Sequence, residues 1–185
     1  MSFAVNLPLF CIVASLVCSV VSSVLNGKHA RWLSMWLSFA VAVSSLLVLG
    51  AVRENGEPIT YIMGHFPHPW GNEIRMGLLE GFFSLVFSTV LFLCMKGAKI
   101  KLSQDLEPSK SQFYFVMTDL IQASLLVLVY TNDIFTGYVF IEICTLASCG
   151  ILMIRQIGRT TLASVRYMIF SLIGSGLFLL GVTIL

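Results

Sequence analysis

Charge is what this chain has least of. Lys, Arg, Asp and Glu make up 11% of its 185 residues, against ~25% in a soluble domain. A water-facing surface cannot be built from so few ionic groups, which excludes an ordinary soluble enzyme or binding module. Cysteine chemistry is also missing. The five cysteines (Cys11, Cys18, Cys94, Cys144 and Cys149) all sit in apolar runs, none forms a CxxC pair, and no Cys/His cluster has zinc-ligand spacing. They read as small buried hydrophobes. His65 and His68 lie in the proline-rich stretch "GHFPHPW", a loop with no metal-site pattern. No Gly-rich phosphate loop follows a strand, and no cysteine framework suits an iron–sulfur cluster, so no cofactor or metal is expected. No nucleophile–base arrangement suggests an intramembrane enzyme. Basic residues are confined to short loops beside apolar segments, which gives nucleic-acid binding no support.

What is present is oil. Hydrophobic residues make up 57% of the chain and the mean hydropathy is +0.92. A membrane-crossing helix needs about 20 predominantly apolar residues. Six stretches meet or approach this, at roughly 5–25, 32–52, 76–95, 113–131, 134–154 and 163–184. The expected fold class is therefore an all-α integral membrane protein, a single domain over residues 1–185. The first apolar run has no positive residue before it, and Lys28 and Arg31 follow it, the flank pattern of a retained helix rather than a secretory signal. The connections are polar: "NGKHAR", the long Gly/Pro-rich "RENGEPITYIMGHFPHPWGNEIR", "KGAKIKLSQDLEPSKS", the tight turn "TND", and "RQIGRTT", in which Thr160 or Thr161 is placed to cap the sixth helix. Lys28, Arg31, Lys96, Lys99, Lys101, Lys110, Arg155 and Arg159 fall in the odd-to-even loops, and only Arg53 and Arg75 in the others. Eight against two predicts that the odd-to-even loops are cytoplasmic, with the N-terminus outside.

Against this background the acids inside the spans stand out. A charged group at mid-bilayer costs at least ~2.5–3.5 kcal/mol, and such groups face a bundle interior or a hydrated cavity. Glu142 has eight uncharged residues on each side and lies ~12 Å into the fifth span at 1.5 Å per residue. Desolvation favours the neutral carboxyl, while a cation or hydrogen-bond donor favours the charged one. A group held between these influences can exchange a proton. Tyr138, Glu142, Thr145 and Cys149 share one helical face, so they either line hydrated space or tie the helix to a neighbour. Asp119, with Gln122 one turn along, is placed ~10 Å from the cytoplasmic end of the fourth span. It is either an intake-side relay group or an acid that hydrogen-bonds between helices. Glu80 lies near the outer face, where reaching headgroup water is the simpler account. Arg166, about four residues into the sixth span, either snorkels to the cytoplasmic surface or tunes the Glu142 site from ~12 Å away along the membrane normal.

The segments "YTNDIFTGYVFIEICTLASCGILMIRQ" and "ASVRYMIFSLIGSGLFLLGV" resemble the core of the antiporter-like membrane subunits. That family includes subunits of respiratory complex I, of multisubunit cation/proton antiporters and of membrane-bound energy-converting hydrogenases. "YIMGHFPHPWGNEIRMGLLEGFF" is similar to the family's segment entering its third helix. The resemblance implies a proton-translocating subunit of about fourteen helices, built from two inverted five-helix repeats that each supply a half-channel. It makes Glu142, in "YVFIE", the relay glutamate of the fifth helix. It also puts Arg166 where relatives usually carry a lysine. Arginine scarcely loses its proton, so Arg166 is expected to act as a fixed cation. Gly77 stands where the third-helix segment commonly has an acid, with Glu80 three residues on.

The sequence ends at Leu185, before the family's broken seventh helix and second repeat. The expectation is a split or shortened subunit resembling the first six helices. It would be a non-redox member of an ion-pumping oxidoreductase or antiporter complex in a prokaryotic cytoplasmic membrane. Its expected partners are lipid and other membrane subunits, one of which supplies the missing C-terminal half. The competing expectation is a scaffold subunit without an ion path of its own.

Overall fold

The computed structural model describes residues 2–62, 73–105, 108–154 and 156–184. Six helices follow in order: α1 (Ser2–Val24), α2 (Gly27–Asn55), α3 (Leu78–Asp105), α4 (Pro108–Tyr130), α5 (Ile134–Met153) and α6 (Gly158–Ile184). All six contain segments long and apolar enough to cross a membrane. The chain is thus an integral multi-pass membrane protein, as hydropathy requires.

The helices are longer than the apolar runs inside them. α2 begins at Gly27, so the "NGKHAR" connection is mostly helix, and α3 continues to Asp105. α6 begins at Gly158, ahead of both threonines expected to cap it. The Thr160 and Thr161 hydroxyls instead donate back to the Ile157 carbonyl at 2.7 and 3.2 Å. The α4–α5 turn does carry a cap. Asp133 accepts from the backbone N–H groups of Phe135 and Thr136 at 3.4 and 2.8 Å and from the Thr136 hydroxyl at 2.6 Å, satisfying donors that a helix start otherwise leaves open. α2 ends on Gly56, whose φ of 74° lets its N–H reach the Val52 carbonyl at 3.1 Å.

Between α2 and α3, the stretch read from sequence as an irregular loop contains an antiparallel hairpin. β1 (Ile59–Ile62) pairs with β2 (Glu73–Met76), Tyr61 opposite Ile74. His65 and His68 lie outside the described residues. Ile74 also bridges to Thr131, and the Asn132 N–H donates to the Glu73 carbonyl at 3.0 Å. The hairpin is therefore stitched to the α4–α5 turn, with Ile74, Met76 and Tyr130 buried beneath it.

α4 is the centre of the bundle and packs on α1, α2, α3 and α5, whereas α6 packs on α5. The interior of α1–α4 is unusually rich in serine: Ser15, Ser19, Ser22, Ser34, Ser38, Ser44, Ser45, Ser84 and Ser88 are all buried. In lipid, helices gain little from burying apolar surface against one another, so close approach of small residues and interhelical hydrogen bonds hold them together. Ser45 and Ser84 meet at 2.6 Å between α2 and α3, and Cys11 meets Ser44 at 2.9 Å between α1 and α2. All five cysteines are free thiols.

Candidate functional site

Two of the intramembrane acids sit in separate environments on opposite sides of α4. Met117 of α4 meets Gly150 of α5: a Cβ built on Gly150 would lie 2.9 Å from the Met117 sulfur. Asp119 is two residues on, about 200° around the helix, and so faces away from α5. Counted from that contact, Asp119 and Glu142 also differ by ~9 Å in depth. The structure does not bring them together.

Glu142 lies on α5, half-buried, and its Oε1 is a buried oxygen without a hydrogen-bond partner. Of the expected polar face, Tyr138 stacks on Phe178 of α6, with centroids 6.2 Å apart. The Thr145 hydroxyl donates to the Glu142 backbone carbonyl at 2.9 Å, not to its carboxyl, and Cys149 is buried. Clefts open at both ends of α5. One, of about 350 Å³, lies under the hairpin side and is lined by Asn132, Tyr138, Ile141 and Phe178. The other, of about 470 Å³, lies on the basic-loop side and is lined by Lys110, Phe113, Gly150, Gln156 and Thr161. Glu142 lines neither cleft; along α5 it lies next to Ile141 and eight residues, ~12 Å, from Gly150.

The Tyr138–Phe178 stack also fixes the register of α6 on α5. From it Glu142 is four residues away and Arg166 twelve, so they differ by ~12 Å along the axis. Arg166 is exposed. Glu80 is mostly buried near the hairpin; its carboxyl folds over Gly77 and lies 3.9 Å from the Arg75 guanidinium on β2.

Asp119 belongs to a tighter cluster. It is fully buried, nine residues from Lys110 and eleven from Tyr130, the ends of its apolar span. That places it near mid-span, deeper than the intake-side position read from sequence. Its Oδ2 accepts from the Ser22 hydroxyl of α1 at 3.0 Å and the Ser34 hydroxyl of α2 at 2.7 Å. One turn along, Gln122 Oε1 accepts from Ser38 at 2.6 Å. Asp119 Oδ1 and Gln122 Nε2 are buried without partners. The sequence reading singles out Asp119 and Gln122 but none of the serines. The available signal was their spacing: Ser15, Ser19 and Ser22, and Ser34, Ser38 and Ser45, each follow one helical face. Among the described residues, no group of three or more His, Cys, Asp and Glu side chains is gathered as a metal site.

No family model matches the chain. It is 26% identical over 182 residues to NADH-quinone oxidoreductase subunit N of Desulforudis audaxviator (strain MP104C), covering 96% of this chain and 36% of that protein. In fold it is similar to a chain of the membrane-bound sulfane sulfur reductase, an archaeal respiratory membrane complex, with a TM-score of 0.84 and 22% identity, covering 98% of this chain and 36% of the other. It is similar to a chain of the Mrp complex from Dietzia sp. DQ12-45-1b as well, with a TM-score of 0.83 and 19% identity, covering 99% and 34%. In sequence and in fold, the chain resembles the antiporter-like membrane subunits, and it spans about a third of the length of the proteins it matches.

Proposed function

We propose that this chain supplies part of a proton path, or a proton/sodium path, in a membrane-embedded energy-converting complex, with Glu142 as its relay carboxyl. The observation that carries the reading is the position of that side chain. It is a half-buried acid with an unpartnered Oε1, set along α5 between the residues that line a cleft toward each end of the helix. A proton taken up at one cleft can rest on Glu142 and leave by the other.

Tyr138 forms the boundary between Glu142 and the hairpin-side cleft, and Thr145 lies on the same face one turn further in. Arg166, fixed in charge, biases the site electrostatically from the basic-loop side without touching it. Glu80, held beside Arg75, sits at the hairpin-side rim. Asp119 and Gln122 stand apart from this route on the far side of α4.

The expected partners are other membrane subunits of such a complex. α6 has an apolar face open along its whole length, including Leu172, Ile173, Leu177 and Leu180, and this is where we place the helices that complete an antiporter-like fold. With the basic loops in the cytoplasm, the hairpin faces outward from a prokaryotic inner membrane. The test is Glu142→Gln in the intact complex, scored for ion pumping and for assembly. Lost pumping with normal assembly is expected. Normal pumping and assembly refute the relay, and lost assembly assigns the chain a scaffold role.

A further inference from the structure

We propose that the Asp119 cluster is a binding site for one small monovalent cation of sodium's size, separate from the Glu142 route and independent of it. The first argument is charge. Asp119 is fully buried near mid-span, and no Lys, Arg or His among the described residues pairs with it; its partners are two serine hydroxyls. The basic residues with described side chains on the helices packed around it stand toward helix ends: Lys28, Arg31 and Arg53 on α2, Lys96 on α3 and Lys110 on α4. The other acids with described side chains on the neighbouring helices, Glu54, Glu80 and Glu142, lie elsewhere in depth or direction. An isolated ionised carboxylate in this interior is several kcal/mol too costly to persist, so a single positive charge has to meet it.

The second argument is the donor set. Three helices surround the site with oxygen: the Asp119 carboxylate and the Gln122 carbonyl are the groups open to an ion, and the hydroxyls of Ser22, Ser34 and Ser38 orient them. Oxygen-only sites suit hard cations, and one carboxylate balances one charge, which favours a monovalent ion over a divalent one. The third argument is the two open valences. Oδ1 is a buried acceptor with nothing to accept, and Gln122 Nε2 is a buried donor with nothing to receive it.

Turning the Gln122 amide satisfies the donor and opens a second acceptor. Nε2 then donates to the Ser38 oxygen, Ser38 turns its own hydroxyl to the Met95 sulfur already 3.9 Å away, and Oε1 is left, like Asp119 Oδ1, for a positive charge. Residues 119 and 122 share one face of α4, a turn apart, so both side chains can reach an ion at the ~2.3–2.6 Å at which cations of this size class meet oxygen. A cation between them takes Asp119 Oδ1 on one side and Gln122 Oε1 on the other. Ser22 and Ser34 hold Oδ2 throughout.

The experiment is infrared difference spectroscopy of the full chain with its native membrane subunits, sodium exchanged for choline at fixed ionic strength and pH. The expected result is a sodium-dependent shift in one carboxylate stretching band. That band is absent in Asp119→Asn, retained in Glu142→Gln, and needs about tenfold more sodium in Ser34→Ala. A wild-type spectrum without a sodium response overturns the proposal, as does a response that survives in Asp119→Asn. A protonated carboxyl band insensitive to sodium and lost in Asp119→Asn also overturns it, and identifies the neutralising charge as a proton.

Discussion

Replacing Ser34 by alanine removes a hydroxyl donor from the most buried acid among the described residues, and its cost can be worked from the bonds observed. With Asp119 ionised, the 2.7 Å Ser34–Asp119 contact is a charge-assisted O–H···O⁻ bond. Bonds of that type contribute ~1.5–3 kcal/mol in water-soluble proteins. Interhelical hydrogen bonds in a membrane average ~0.6 and reach ~1.7 kcal/mol. After Ser34→Ala, Oδ2 still has Ser22 at 3.0 Å, so the oxygen is not orphaned. The expected loss is therefore ~1–2 kcal/mol. Removing Ser22 as well leaves Oδ2 bare, which adds a desolvation penalty of ~1–3 kcal/mol. The double variant should thus cost more than the two single variants summed.

Reversible unfolding of the full chain in mixed micelles, run as a double-mutant cycle of Ser34→Ala against Asp119→Asn, isolates the pair. A coupling below ~0.3 kcal/mol, or simple additivity of Ser22→Ala and Ser34→Ala, would refute the view that these serines hold the carboxylate.

Two further outcomes follow from packing and caps. Asp133→Ala removes the N-cap of α5 and should cost ~1 kcal/mol, with Asp133→Asn losing much less, read as a shift in thermal unfolding midpoint. At Gly81 a Cβ would lie 3.4 Å from Leu49 Cδ1 and 3.6 Å from the Leu49 Cα. Gly81→Ala should therefore be near neutral, while Gly81→Leu forces α2 and α3 apart and should lower the yield of folded chain in membranes; equal yields of the two would contradict the close α2–α3 approach.

The membrane class and the six spans were legible because each helix must bury about 20 apolar residues in lipid, and composition alone reports this. The ~12 Å offset between Glu142 and Arg166 also agrees with the register set by Tyr138 and Phe178. Helix ends were not legible. α3 runs on into the polar stretch that ends at Asp105, where hydropathy gives no signal, and Thr160 and Thr161 bond backward inside a helix that had already begun. The hairpin was obscured because its two short strands flank a Gly/Pro-rich segment longer than either. The serine contacts were hidden for a different reason. A buried serine reads as neutral in any hydropathy scale, and only the facing helix shows that Ser22 and Ser34 converge on one acid. Glu142 and Asp119 looked alike in sequence as lone acids in oil; which side of α4 each occupies is set by tertiary packing.

The stitching of β2 to the α4–α5 turn has a mechanical consequence. Ile74 bridges Thr131, and Asn132 is bonded to Glu73, so the start of α5 is anchored to a small sheet, whereas beyond its far end a side-chain bond from Lys110 to Gln156 at 3.0 Å ties the α5–α6 connection to α4. Any tilt of α5 must then swing about its anchored end like an oar in its lock. Over its ~30 Å length, a rotation of about 5° would sweep the far end by ~2.6 Å and would shift the level of Glu142 by less than half as much. A swing of that kind would alter the basic-loop cleft more than the hairpin-side one.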